Sequence, residues 1–377
     1  MTKKVNLTRR NFLQAAGVVA VGAVCAAGGA SLVGCSASTS SKEADLQAAY
    51  EKGSSDVVEF VDSAGRTVYL PKDIKSFAPS GSYAQILLAT IAPERFVGLS
   101  STFSKSQLKY LPENMADLPK LGRYYGKNGD MNYEEIIKIN PDVIIDIGER
   151  KEDIEYDMDG LMQQTGLPVI FVQATIDQFS QAYRTLGELL GVQERAEEIA
   201  TYIDEVFAYA DERYDEIASR NLRTIYSSGE MGYSVKEAGS VHSAALERTG
   251  INNIAVLDGA NSTEVSAEQM MIWAPDYLLL SPSDGAFDFI FEDSVWASIP
   301  AVENGHVYEV PSGPYEWLDS PPSVQTTLGV LWVGNLLAPD LYDFDMVEEA
   351  QEFYKLFWQY DLSVEEAQKM LANSTLK

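Results

Sequence analysis

The chain has 377 residues, room for two domains of roughly 150 residues each. Hydrophobic residues make up 46%, charged residues 22% and aromatics 10%, which excludes wholesale disorder and collagen-like structure. Against 28 Lys and Arg stand 56 Asp and Glu, a net charge of −28 that excludes a surface built to grip nucleic-acid phosphates, and two Cys with two His exclude a disulfide framework or a Cys/His zinc module.

Residues 1–34 read as an export signal rather than as part of the fold. Lys3, Lys4, Arg9 and Arg10 precede the first acid, and a mildly apolar run over 15–30 follows, short for a membrane span of about 20 residues. Thr8-Arg9-Arg10-Asn11-Phe12-Leu13 resembles a twin-arginine export signal. Leu32-Val33-Gly34-Cys35 resembles a lipobox, in which the Cys35 thiol is alkylated with diacylglycerol and becomes the first residue of the mature chain. Cys25 falls in the discarded part, so the mature chain is expected to have 343 residues, a net charge of −32 and no internal disulfide. Residues 35–55 then form a lipidated, Ser/Ala/Thr-rich tether, with a short helix over 43–52 as an option.

From residue 57 the pattern is dense. Alternation over 57–61 and 66–70 about a turn at 62–65 predicts a β-hairpin. A strand over 74–78, a loop at 79–82 and a helix over 83–91 begin a strand–loop–helix pattern, which predicts an α/β fold with mostly parallel sheet. Helical periodicity runs over 176–190 and from 195 to about 219, without a Gly/Pro/Ser linker, so one of these helices is expected to be a rigid connector. A strand over 222–227, a loop over 229–239, a helix over 241–249, a strand over 307–311 and helices over 324–337 and 346–360 complete the chain. The expected domains are an N-terminal α/β lobe over 56–175, a helical connector over 176–220 and a C-terminal α/β lobe with terminal helices over 221–377.

An internal echo is the most informative feature. Glu134 and Glu268 each lie seven residues before a proline, Pro141 and Pro275, and each proline is followed by Asp and an apolar strand, over 143–147 and 277–280. Both blocks read as a short helix that ends at the proline. Their offset is 134 residues, one domain length, which points to two related lobes rather than a short-period solenoid.

These segments resemble the class III periplasmic binding proteins of ABC importers, the Fe/B12 type. The likeness rests on Val61-Asp62-Ser63-Ala64-Gly65-Arg66-Thr67-Val68, Ala78-Pro79-Ser80, Val97-Gly98-Leu99-Ser100, Leu121-Gly122, Asn132-Tyr133-Glu134-Glu135-Ile136, Asn140-Pro141-Asp142-Val143-Ile144-Ile145 and Trp317-Leu318-Asp319-Ser320-Pro321-Pro322-Ser323-Val324. It covers about 57–371. It implies two Rossmann-like lobes joined by a long α-helix, a ligand cleft between them, no enzymatic activity, and a monomer that delivers a small-molecule metal complex to a permease dimer with its ATPase. It also implies one exposed carboxylate per lobe that pairs with permease arginines, and the matching positions are Glu134 and Glu268.

In open α/β sheets ligands bind beyond the carboxyl ends of strands. The loops there offer Ser82, Tyr83, Arg123, Tyr124, Tyr125, Arg150 and its neighbour Lys151, Tyr233, His242, Tyr315 and Trp317 as ligand contacts. Aromatic faces suit a planar or greasy chelate, and Arg suits carboxylate or catecholate oxygens. A ferric siderophore-like chelate is the expected ligand, with cobalamin or another corrinoid, haem, or an oxyanion such as molybdate or tungstate as alternatives on the same fold. No cofactor, catalytic residue or direct metal site is expected, because no His/carboxylate cluster has ligand spacing. An extracellular hydrolase lacks support: Gly-x-Ser-x-Gly and His-Glu-x-x-His are absent. An adhesion lipoprotein is the remaining rival.

Overall fold

The computed structural model describes residues 41–125, 129–257, 263–282, 286–319 and 321–375. Arg9, Arg10 and Cys35, and with them the export and lipidation readings, lie outside the described residues. Helix α1 (Lys42–Glu51) is capped by the Ser41 hydroxyl, which accepts from the Ala44 amide. It packs on an antiparallel hairpin of β1 (Val57–Val61) and β2 (Thr67–Pro71) through Tyr50 and Tyr69, whose ring centroids are 5.0 Å apart. The turn is organised by Asp62, which is buried. Its carboxylate accepts from the amides of Ala64, Arg66 and Phe171 and pairs with the Arg66 guanidinium at 2.9 Å. This fastens the hairpin to a strand a hundred residues away and explains the Asp-Ser-Ala-Gly-Arg run.

β3 (Phe77–Pro79), β4 (Val143–Gly148) and β5 (Val169–Gln173) form a parallel sheet in that order. Parallel bridges Phe77–Phe96 and Leu99–Lys120 extend it on the other side of β3. The apolar runs Val143 to Ile147 and Val169 to Val172 are buried on both faces, as parallel strands covered by helices must be. The helices here are α2 (Ser82–Ile91), α3 (Lys105–Leu108), α4 (Tyr133–Ile139) and α5 (Ile154–Thr165). α2 buries every residue from Ala84 to Ile91, and such an all-round apolar helix is stable only inside a core.

Three helices follow: α6 (Phe179–Leu190), α7 (Gln193–Asp211) and α8 (Tyr214–Arg220). The helix read from 195 to about 219 is thus broken at Glu212 and Arg213, where the Arg213 guanidinium bonds the carbonyls of Tyr209 and Leu341. α7, 19 residues and about 28 Å long at 1.5 Å per residue, buries a stripe from Ala196 through Ile203 to Ala210.

The second half repeats the scheme with β6 (Arg223–Ser228), β7 (Ser234–Val235), α9 (Ala244–Arg248), β8 (Asn252–Asn253), α10 (Ala267–Trp273), β9 (Tyr277–Leu280), α11 (Ala286–Glu292), α12 (Pro300–Glu303) and β10 (Val307–Glu309). The sheet order is β10-β9-β6-β7, with β8 also beside β6. All pairs are parallel except β6–β7, so the stretch read as a loop over 229–239 contains a hairpin strand. The helix read over 241–249 shortens to α9. The Ser240 and Ser243 hydroxyls bond the Glu237 carbonyl and hold the residues before α9 in a turn.

The chain ends in α13 (Gln325–Leu337), α14 (Met346–Trp358) and α15 (Val364–Met370). α13 is apolar all round and buries Leu328, Val330, Leu331, Trp332 and Val333 in a core that also takes in α2, α6 and α7. At about 1.5–3 kcal/mol per fully buried large side chain, this shared core is a main source of stability. Gly329 lets the Trp317 backbone cross α13, since a Cβ there would overlap the Trp317 carbonyl. The described residues belong to one compact unit, and no helix among them is long and apolar enough to cross a membrane.

Candidate functional site

The β3-to-α2 loop lies at a switch point: the chain leaves β3 and is later joined by Phe96 on one side and β4 on the other. A cavity of about 430 Å³ opens there. The first half contributes Ser80, Gly81, Ser82, Tyr83, Arg123, Tyr125, Asp146, Glu149 and Lys151, with Thr175 and Phe179 after β5. Val241, Ala244, Pro322 and Thr326 close it from the second half. The cavity therefore lies between the two halves, at the carboxyl ends of the first sheet. Its lining is mainly apolar with a few convergent polar groups, the usual make-up of a small-molecule site.

α2 begins here without a side-chain cap, so the amides of its first turn face the cavity with their partial positive charge. The Tyr83 hydroxyl donates to the Ala174 carbonyl at 2.8 Å, and burial raises its pKa. This fixes the ring as an apolar wall. The Lys151 ammonium sits 3.3 Å from the Tyr125 ring centroid, a cation–π contact. The Arg123 guanidinium is exposed and has no hydrogen-bond or ion-pair partner among the described residues. Asp146 lies within β4, two residues before its end, and is 5% exposed. Burial pushes its carboxyl up to about 6, opposed by the Ser80 hydroxyl, which donates to it, and by Lys151. The site thus combines aromatic walls, an unpaired cation, helix amides and a carboxyl that takes a proton near neutrality.

Of the residues expected from the sequence, Ser82, Tyr83, Arg123, Tyr125 and Lys151 line this cavity, and the others do not. Tyr124 turns away, its hydroxyl donating to the Asp157 carbonyl at 2.9 Å. Arg150 is held by the carbonyls of Ser63 and Ala64 and by Glu155, so it braces the hairpin turn. Tyr233 stacks on Trp296 in the second core at 5.1 Å. Tyr315 and Trp317 are buried: Tyr315 packs by Trp358, and the Trp317 indole lies 3.4 Å from the Tyr354 hydroxyl. His242 stands between cavity-lining Val241 and Ala244, but its Nδ1 is 2.8 Å from the buried carboxylate of Asp319, which also binds Lys236 at 3.0 Å.

The sequence reading passed over Asp146, Phe179 and Thr326. Asp146 had a signal, a lone carboxylate in the apolar run Val143 to Ile147. Phe179 and Thr326 had none, being ordinary members of helical patterns. A further, half-buried acid, Glu316, accepts from the hydroxyls of Tyr226 and Ser281, and desolvation raises its carboxyl to about 7. Glu134 and Glu268 are exposed in the first turns of α4 and α10. Among the described residues no three His, Cys, Asp or Glu side chains gather as a metal site.

A two-half α/β molecule with its cavity between the halves defines a class of extracytoplasmic solute-binding proteins. The sequence profile of the periplasmic binding protein family matches residues 78–314, and the chain belongs to that family, whose members bind substrates rather than transform them. It is 27% identical over 216 residues to the iron(3+)-hydroxamate-binding protein FhuD of Bacillus subtilis strain 168, a match covering 53% of this chain and 66% of that protein, just under two thirds of its length. Among solved structures, it is similar to an ABC transporter solute binding protein from Sulfurospirillum deleyianum, with TM-score 0.74, 26% identity, and coverage of 83% of this chain and 99% of that one. It is also similar to a periplasmic solute binding protein from Veillonella parvula, with TM-score 0.71, 26% identity, and coverage of 84% and 98%.

Proposed function

We propose that this protein captures a ferric chelate of the siderophore type in the cavity between its halves and delivers it to an ABC importer permease. The cavity itself carries the reading. Its 430 Å³ falls in the range of sites for organic ligands of several hundred daltons, and a bare oxyanion would leave most of it empty. Tyr83, Tyr125 and Phe179 offer apolar faces to a chelate's organic shell. Arg123 and the α2 amides suit oxygens that carry negative charge at the metal's ligands. The similarity to a protein named for binding iron(3+) hydroxamates supports iron as the metal. Ser82, Tyr83, Arg123, Tyr125 and Lys151 are the contacts, with Asp146 added. Tyr124, Arg150, Tyr233, Tyr315 and Trp317 serve packing. The lobes are 56–175 and 221–377, joined by 176–220.

Glu134 and Glu268 are the docking carboxylates for the permease dimer. The chain is exported through its Arg9–Arg10 signal and anchored by lipid on Cys35. A Cys35→Ser variant then leaves the membrane fraction for the soluble extracytoplasmic fraction, and its retention on membranes would refute the anchor. Isothermal titration with a ferric tris-hydroxamate, a ferric tris-catecholate, haem, cobalamin and molybdate tests the ligand class. Submicromolar binding of one ferric chelate, weakened in Arg123→Ala, is the expected result. Binding of molybdate alone would make this an oxyanion carrier.

A further inference from the structure

The two blocks of the internal echo have the same structure residue by residue. α4 and α10 are each seven residues long. Their N-caps, Asn132 and Ser266, each accept from the amide three residues on, Glu135 and Gln269. Each ends on a residue in the left-handed region, Asn140 at φ 56° and Ala274 at φ 44°. An alanine is seldom found there, so its presence marks how closely the second block keeps the geometry of the first. Pro141 and Pro275 are buried, and each block then feeds a strand held between two parallel neighbours: β4 between β3 and β5, β9 between β6 and β10.

Exposure repeats as well. From 132 to 139 and from 266 to 273 the two blocks run in step, with one fully buried residue each, Ile136 and Met270. One position past the buried residue, each block turns a large apolar side chain to solvent: Ile137 is 46% exposed and Met271 44%. These lie three residues after Glu134 and Glu268, one helical turn on and on the same side. A single exposed Ile or Met is unremarkable on a protein surface. What calls for a cause is the same exposed apolar residue, beside the same exposed carboxylate, at the same place in both halves. The following position is not matched, Lys138 standing against Ile272, so the likeness is confined to the carboxylate and its apolar neighbour.

A helix that feeds a parallel strand runs antiparallel to it, so its first turn lies toward the strands' carboxyl edge. In the first half that edge also carries the cavity. Two equivalent patches, one per half, suit a partner that presents one surface twice, as a two-fold dimer does. The chain's net charge of −28 and the Glu in each patch call for basic residues on that partner.

We propose that Ile137 and Met271 are matched apolar anchors through which the two halves seat on the permease dimer, each filling an apolar notch rimmed by basic side chains. This rests on the importer reading. On this account the carboxylates steer and orient the encounter, whereas the anchors, desolvated at the centre of each contact, set how long the complex lasts.

The test places a photo-crosslinking amino acid at 137 or 271 of the full-length lipoprotein in its own cells, with a third version at exposed Val61 on the hairpin as control. Positions 137 and 271 are expected to capture the same integral membrane polypeptide, and position 61 not to. Adducts with two different polypeptides, or none at 137 and 271, would overturn the proposal. In parallel, Ile137→Ser plus Met271→Ser is expected to lower uptake of radioactive iron at least tenfold while the affinity for a ferric tris-hydroxamate stays within twofold. Leu at both positions restores uptake. If Glu134→Arg plus Glu268→Arg abolishes uptake while the Ser pair transports normally, the importer reading stands and the anchors fall. If neither pair alters uptake, both fall.

Discussion

Asp146 gives the sharpest stability prediction. Its carboxyl is buried at the floor of the cavity and moves from an ordinary 3.8 up to about 6, chiefly through burial. A carboxyl whose folded pKa is raised binds its proton more tightly in the folded state. Its contribution is fully favourable below pH 3.8 and is lost as pH rises through 6. Two units at 1.36 kcal/mol each give a cost of about 3 kcal/mol at pH 7.5, against roughly 1 kcal/mol at pH 4.5. Asp146→Asn removes the ionisation and keeps an oxygen that accepts from Ser80. The variant should therefore melt about 6 °C higher than the wild type at pH 7.5 and about 2 °C higher at pH 4.5, taking roughly 2 °C per kcal/mol for a chain of this size. Calorimetry at both pH values reads this directly. An equal shift at the two pH values, or a loss at pH 7.5, would refute the assignment of a strained buried charge.

Arg123→Ala should lower affinity for a ferric chelate about 10- to 100-fold with little change in melting temperature, because the exposed guanidinium makes no hydrogen bond or ion pair among the described residues. Arg150→Ala should do the reverse: affinity holds, and stability falls by about 1 kcal/mol as the Ser63 and Ala64 carbonyls lose their donor. Gly329→Ala should cost about 3 kcal/mol in urea unfolding, since neither α13 nor the Trp317 backbone can yield without disturbing a close-packed core. Glu134→Arg plus Glu268→Arg should leave ligand affinity unchanged in titration and abolish uptake of radioactive iron by whole cells.

The fold was legible wherever a pattern carried direction. The hairpin, the buried runs before and after Asp146, and the echo about Pro141 and Pro275 all translate period and punctuation into elements directly. Asp62 and Asp142 show why such motifs read so well. Asp62 clamps the hairpin, and Asp142 accepts from the amides of Lys75 and Ser76, so both are constraints of the backbone rather than of the ligand. The site was legible only as a set of loops. Tyr125 and Tyr124 are adjacent and chemically identical, yet one faces the cavity and the other bonds the Asp157 carbonyl. Trp317 looks like a ligand platform in the sequence because aromatic residues near strand ends serve both purposes. What decides between them is α13 crossing behind it, a tertiary contact with no local signature.

On the proposed function, a ferric chelate occupies the cavity between Arg123 and Thr326. Diffraction at the iron absorption edge from crystals grown with a ferric tris-hydroxamate tests it most directly. One anomalous peak is expected inside the cavity, with Tyr83, Tyr125 and Phe179 around the organic shell and Arg123 on the chelating oxygens. A peak elsewhere on the protein, or a fully bound chelate that leaves this cavity empty, would contradict it.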